Sequence, residues 1–283
     1  MSAEQTDLRR VRCAAGALLA TVVAASVGCS GTVQVRILAP GEDCTRDFGS
    51  STAAAKIETF LAATSALERE VDALEASLAQ ACEAGLREAR GPGAPSSAPC
   101  ESLGAWVAEE SAALDGEGAV PRLEPTGPTC SPQQADFAAC VSRCELRYRP
   151  DDIQVVADES GLLTAPQASP RCRASCETLH AIAESCTSPV AVAQGSEGEG
   201  ERQARLHAVL GHVARAAALG ARAERISLAA RRLVAIAPVL PEAAATVSIR
   251  AVACVSAASV DVRGAAERLD AIAAAARAAR DGV

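Results

Sequence analysis

The sequence predicts an all-α protein: a bundle of long helices with a disulfide-stapled antiparallel helical hairpin docked on it or projecting from it. Three observations carry this. Apolar residues recur at helical spacing along three long stretches, 51–90, 202–237 and 242–281. Six of the twelve cysteines form a mirror, in which Cys130, nine residues, Cys140, three residues and Cys144 are answered by Cys172, three residues, Cys176, nine residues and Cys186. Ser131-Pro132 and Ser169-Pro170 each place a serine N-cap before a proline of the first helical turn, so both cysteine segments open with the same device.

The mirror sets a register. Nested pairs Cys130–Cys186, Cys140–Cys176 and Cys144–Cys172 have position numbers that add to 316 in every case, as facing residues of two antiparallel helices do. Phe137 and Leu179 obey the same rule and supply an apolar layer. The rival reading is one zinc held by the two Cys-x-x-x-Cys pairs. The flanking Cys130 and Cys186 fit the hairpin register, which a metal cluster would not require, so disulfides are the expectation and no metal ligand is assigned.

At the N-terminus, Arg9, Arg10 and Arg12 precede an uncharged, mostly apolar stretch from Cys13 to Gly28. Such a stretch falls short of the roughly 20 residues a membrane span needs and suits an export signal. It ends in Ser26-Val27-Gly28-Cys29-Ser30, which resembles the lipobox of bacterial lipoproteins, with Ser26 where that family usually has Leu. The resemblance implies cleavage before Cys29 and a covalent lipid on its sulfur, with palmitate-like chains and no other cofactor. It divides the chain into a signal peptide (1–28), a lipidated tether (29–50) and a helical domain (51–283) containing the hairpin 130–186. Ser30, with no Asp after the cysteine, implies the outer membrane of a Gram-negative envelope, facing the periplasm or the cell surface. Cysteine parity agrees: with Cys13 removed and Cys29 acylated, ten remain, an even number as an oxidising compartment wants.

Removal of residues 1–28 leaves 24 bases against 33 acids, a net charge of −9. An acidic surface argues against nucleic acid as a partner. Lys56 is the only lysine, a bias that with the abundant alanine reflects base composition before function. The aromatics are Phe48, Phe60, Trp106, Phe137 and Tyr148, too few for stacking platforms.

In the body, Val33, Val35 and Ile37 alternate with Gln34 and Arg36 in a short strand-like lead that Ala39-Pro40-Gly41 ends. Next, Ala53, Ile57, Phe60, Thr64, Leu67, Val71, Leu74, Leu78 and Ala81 step by four and three alternately, a heptad stripe over a helix of about 60 Å. The Gly/Pro run 91–99 is a loop. A shorter helix follows over Glu101–Leu114, then a connector over 115–129. Inside the hairpin, Asp158–Gly161 is the expected turn of a small β-insert. Residues 190–201 read as an acidic linker, and Pro238 and Pro241 break the two Ala-rich helices from each other. Their stripes, from Leu206 to Ala237 and from Val247 to Ile272, hold mostly small residues and predict close helix packing.

Cys44, Cys82, Cys100 and Cys254 allow three pairings. Cys82–Cys100 spans a single loop and is favoured, which leaves Cys44 to meet Cys254.

Catalytic candidates are thin. His180 follows Leu179 on a staple helix and is expected at the surface. His207 and His212 are five apart, off the four-residue spacing of paired zinc ligands. Asp151-Asp152 and Glu109-Glu110 are adjacent acids whose side chains diverge. Asp115-Gly-Glu-Gly lacks the alternating ligands of a calcium loop. No nucleophile elbow or phosphate loop occurs, so no catalytic residue is assigned and no enzyme is expected.

The twin Cys-x-x-x-Cys motifs resemble the helical hairpins of the small Tim chaperones of mitochondria. The resemblance covers 130–186 only, with a longer insert between the motifs here. The wider pattern resembles Cys-rich helical lipoproteins of high-GC envelope bacteria such as myxobacteria. The expected function is a non-catalytic envelope scaffold or interaction module. Its expected partners are the membrane through the lipid, and other envelope proteins or a second copy. The alternative is a periplasmic chaperone or carrier of apolar cargo.

Overall fold

A computed structural model describes residues 44, 47–91, 96–114, 122–123, 134–184, 191–192 and 200–281. The signal peptide, Cys29 and the lead strand, the Cys130–Cys186 rung, the Ser131-Pro132 cap and the Asp115-Gly-Glu-Gly segment lie outside them.

The fold is all-α. Its trunk is three long helices: α1 (Thr52–Arg90), α5 (Glu201–Ile236) and α7 (Ile249–Arg280). α1 begins where the Ser51 hydroxyl accepts from the Ala54 N–H at 3.1 Å and ends at Gly91, whose φ of 84° only glycine adopts freely. Ile57, Phe60, Leu67, Val71, Leu74 and Leu78 are buried along one stripe, because the spacing of four and three keeps them on one face. α7 runs parallel to α1: Arg268 bonds Asp72 and Glu75 midway along, and Arg250 at its start donates to the Asp47 carbonyl before α1. α5 runs antiparallel to both, with Arg222 beside Glu70 and Ser227 bonded to Asp270. Small residues bring α5 and α7 together, with Gly220 against Ala276.

α2 (Pro99–Leu114) folds back on the far end of the trunk, packed on α1, α5 and α7. Gly104 lies directly against the backbone carbonyl of Ala278, so α2 meets α7 without an intervening side chain. α3 (Gln134–Glu145) and α4 (Pro170–Ala183) form the hairpin, and α4 packs on α1 and α5. The Ser169 hydroxyl caps α4 by accepting from the Cys172 N–H. Between α3 and α4, β2 (Val156–Ala157) and β3 (Leu163–Thr164) pair antiparallel across the Asp158–Gly161 turn. Leu162 joins the trunk core while Leu163 joins the hairpin core, as neighbours on a strand point to opposite faces.

Two regions differ from the sequence reading. The second Ala-rich stretch is not one helix from 242: α6 (Leu240–Ala245) is separate, and α7 starts at Ile249 under an N-cap from Ser248. Val247, placed on the stripe, therefore lies between helices. The serine hydroxyl accepting from the Ala251 N–H satisfies a helix start that the prolines upstream cannot. The connector and the acidic linker are not wholly loop. β1 (Arg122–Leu123) pairs antiparallel with β4 (Ala191–Val192), flanking the hairpin on both sides.

Chain direction gives the bundle two ends. At the proximal end lie the starts of α1, α4 and α7, the ends of α3 and α5, and α6. α2 and the end of α7 mark the distal end.

Candidate functional site

The hairpin is closed by Cys140–Cys176 and Cys144–Cys172, with Cα atoms 5.8 and 5.6 Å apart. Phe137, Val141 and the cysteines form its own small core, with Leu179 packed against both this core and the trunk. The remaining bridges are Cys82–Cys100, tying α1 to α2, and Cys44–Cys254, tying the start of the domain to α7 across 210 residues. Every described cysteine is thereby in a disulfide, leaving no described thiolate for metal or nucleophilic chemistry.

The second face of α4 carries the chemistry. Arg222, Arg225 and Arg232 share one side of α5 at spacings of three and seven. Arg222 bonds Glu70 of α1 at 2.8 Å and the Ile182 carbonyl at 3.1 Å. Arg225 bonds Glu184 at 3.0 Å and the Gly161 carbonyl at 2.6 Å. Arg232 bonds Glu177 at 3.0 Å and also pairs with Asp158 in the β-turn. On the opposite flank, Glu145 at the end of α3 accepts from the Ser169 N–H at 2.6 Å and pairs with Lys56 of α1 at 3.5 Å. The hairpin is thus held to the trunk by charge as well as by apolar contact.

Burial competes with hydrogen bonds and opposite charge in the titration of this dock. Burial alone would raise the Asp158 carboxyl, but hydrogen bonds from Arg232, Ser160 and the Leu162 N–H together outweigh it and hold it at about 2. Burial likewise opposes the Ser169, Lys56 and Arg147 contacts at Glu145, which still lies below the usual carboxylate range. Glu177 goes the other way: its burial exceeds what Arg232 returns, and its carboxyl is raised.

His180 is not at the surface. It is 5 % exposed, its ring stands edge-on to Phe137 with centroids 5.8 Å apart, and Nε2 lies 3.2 Å from Glu184 Oε1. The reason is that α4 is covered twice, by α3 on its cysteine face and by the trunk on its other face. His207 and His212 are half-buried on α5. Asp151 and Asp152 are exposed in a 3-10 turn, and Glu110 pairs with Arg202 at 3.1 Å. Among the described residues no group of three or more His, Cys, Asp or Glu side chains could hold a metal ion. No described helix is long and apolar enough to cross a membrane.

A groove of about 840 Å³ runs between α1 and α7 beside the Cys44–Cys254 bridge. Its walls mix Leu61, Ala257 and Ala258 with Asp47, Glu58, Glu68 and Asp261. Burial raises the Glu68 carboxyl, with Asp261 and Asp72 adding repulsion, and burial raises Asp261.

The arginine face of α5 escaped sequence reading. Three arginines on one side of a helix are ordinarily a solvated surface, and their acidic partners, Glu70 on α1 and Asp158, Glu177 and Glu184 of the hairpin, all lie forty or more residues away in the chain.

No family model, no curated protein and no solved structure matches the chain.

Proposed function

We propose that this chain is a non-catalytic envelope lipoprotein, anchored through a lipid on Cys29 and serving as a scaffold or protein-interaction module. The observation that carries the reading is the Cys44–Cys254 bridge. A lipid on Cys29 would hold the chain fifteen residues before Cys44, and the bridge passes any pull on that segment directly into α7. The pull does not have to unwind α1 first. A strongly cross-linked body on a short leash suits a load-bearing spacer or platform in an oxidising compartment. The absence of an assigned catalytic set in the sequence, and the consumption of every described cysteine in a bridge, support a binding role over a chemical one.

The groove between α1 and α7 bears on the alternative of a carrier. Four acids in its wall make it a poor solvent for purely apolar cargo. A hydrophobic dye titrated onto the folded protein should therefore show no saturable site, and a saturable one would favour the carrier.

The deciding experiment for the main reading is mass spectrometry of the N-terminal peptide from protein expressed in a Gram-negative envelope. A peptide beginning at a diacylated Cys29 is expected. An unmodified thiol at Cys29, or cleavage elsewhere, would overturn the lipoprotein reading.

A further inference from the structure

Of the exposed large apolar side chains among the described residues, three stand where the chain enters the domain, while Val156, Leu228 and Val260 lie elsewhere. Ile249, Leu146 and Val239 are 86, 53 and 47 % exposed, and all three stand at the proximal end. Each is at an element terminus: Ile249 opens α7, Leu146 follows the last residue of α3, and Val239 precedes α6. Leu146 has a φ of 55°, left-handed backbone that disfavours a side chain such as leucine and is ordinarily filled by glycine or asparagine at a helix end. An apolar residue is thus kept in a costly conformation while facing solvent. Arg147 and Arg149 adjoin Leu146, and Arg171 donates to the Val239 carbonyl at 3.2 Å, so bases surround the apolar tips. Asp151, Asp152 and Glu242 keep the local charge near balance.

The same end receives the tether. Cys254 lies five residues into α7 from Ile249, so the Cys44–Cys254 bridge pins residue 44 beside the exposed tips. Fourteen residues separate Cys29 from Cys44. They can reach about 50 Å when fully extended and about 20 Å as a flexible coil.

We propose that the proximal end is a membrane-contacting surface. Ile249, Leu146 and Val239 enter the headgroup layer of the bilayer, while Arg147, Arg149 and Arg171 keep their stems among the lipids and their guanidiniums at the phosphates. The proposal rests on the lipid-anchor reading for its delivery, since three side chains alone give only weak attachment and the tether supplies the local concentration. Near-balanced local charge makes apolar insertion the main contribution, so contact should depend only weakly on salt.

The test separates the surface from the anchor. Residues 29–283 with Cys29→Ser and an N-terminal polyhistidine tag, fully oxidised, are tethered to phosphatidylethanolamine and phosphatidylglycerol vesicles containing a nickel-chelating lipid. Backbone hydrogen exchange is then followed by mass spectrometry. Exchange should slow severalfold at 146–149 and 237–250 relative to the protein free in solution, and remain unchanged at the distal 86–91 and 201–206. The triple variant Leu146→Ser, Val239→Ser, Ile249→Ser, tethered to the same extent and with all bridges intact, should lose that protection. Unaltered exchange at the proximal end, protection at the distal end, or equal protection in the triple variant would each overturn the proposal. Because the chelator replaces the native lipid, these outcomes are independent of whether Cys29 is acylated.

Discussion

Arg232 of α5 and Asp158 of the β-turn meet across 74 residues of chain, and the same guanidinium holds Glu177 of α4. One side chain therefore joins three elements, and its loss should be felt as a loss of docking of the hairpin on the trunk.

Substituting Arg232 by alanine leaves Glu177, whose side chain is 1 % exposed, buried without its counter-charge. The expected cost is about 3 kcal/mol in non-reducing urea unfolding. The double substitution Arg232→Met, Glu177→Met removes both charges and should recover most of that cost. A single variant as stable as the parent would mean that water already reaches Glu177.

Acid should loosen the dock at the β-turn. Asp158 has a folded-state pKa of about 2 against an ordinary 3.8. A depressed carboxyl stabilises the fold fully above its unfolded value and loses that contribution as pH falls through the folded one. The window is therefore about pH 4 down to 2, and Glu145 acts in the same direction. Glu177, being raised, opposes them: protonating it relieves a burial cost. Carboxyl carbon chemical shifts should place Asp158 well below an ordinary aspartate, and Arg232→Met should move it upward. Titration of parental Asp158 near 3.8 would contradict this.

Two pairs of helical glycines should respond oppositely to alanine. A Cβ on Gly104 would strike the Ala278 carbonyl and one on Gly220 the Ala276 methyl, whereas Gly211 and Gly264 have nothing within 4 Å. Gly211→Ala and Gly264→Ala should each stabilise by roughly 0.5–1 kcal/mol through the lower entropy of the unfolded chain. Gly104→Ala should destabilise by about 1–3 kcal/mol despite the same entropic gain, because backbone cannot rotate out of the way. Melting temperatures of the four variants check the sign at each site.

The bridges should differ in worth. Loop-closure entropy assigns about 5 kcal/mol to a 210-residue loop and about 3 to an 18-residue one. Removing Cys44–Cys254 by paired serine substitution should therefore lower the guanidinium midpoint more than removing Cys82–Cys100. The reverse order would mean that strain or residual structure in the unfolded chain dominates.

The trunk was legible because its periodicity is intrinsic to each helix. Ile57 to Leu78 declare their buried face without knowledge of what covers it. Cysteine register worked for a related reason: facing positions in antiparallel helices are fixed by rise alone, so Cys140 with Cys176 and Cys144 with Cys172 can be counted from the chain. What depends on a third partner was not legible. The mirror describes the α3 face of α4, on which His180, four residues after Cys176, stands against Phe137, and it says nothing of the trunk face, where Glu177 and Glu184 meet the arginines of α5. The arginines at 222, 225 and 232 look like solvent-facing charge until the hairpin is laid on them. The two-residue strands at 122–123 and 191–192 are too short to carry an alternating pattern, and their pairing exists only because the hairpin between them brings its two flanks together.

The bridge from Cys44 to Cys254 also makes the domain a closed covalent loop. Cleaving the backbone once, anywhere from residue 45 to 253, severs no fragment: both pieces stay one molecule as long as that sulfur–sulfur bond survives. A nicked copy would migrate intact without reductant and split only with it. A single cut between residues 45 and 253 therefore leaves the body attached to whatever holds its beginning, and only a cut before Cys44 frees it.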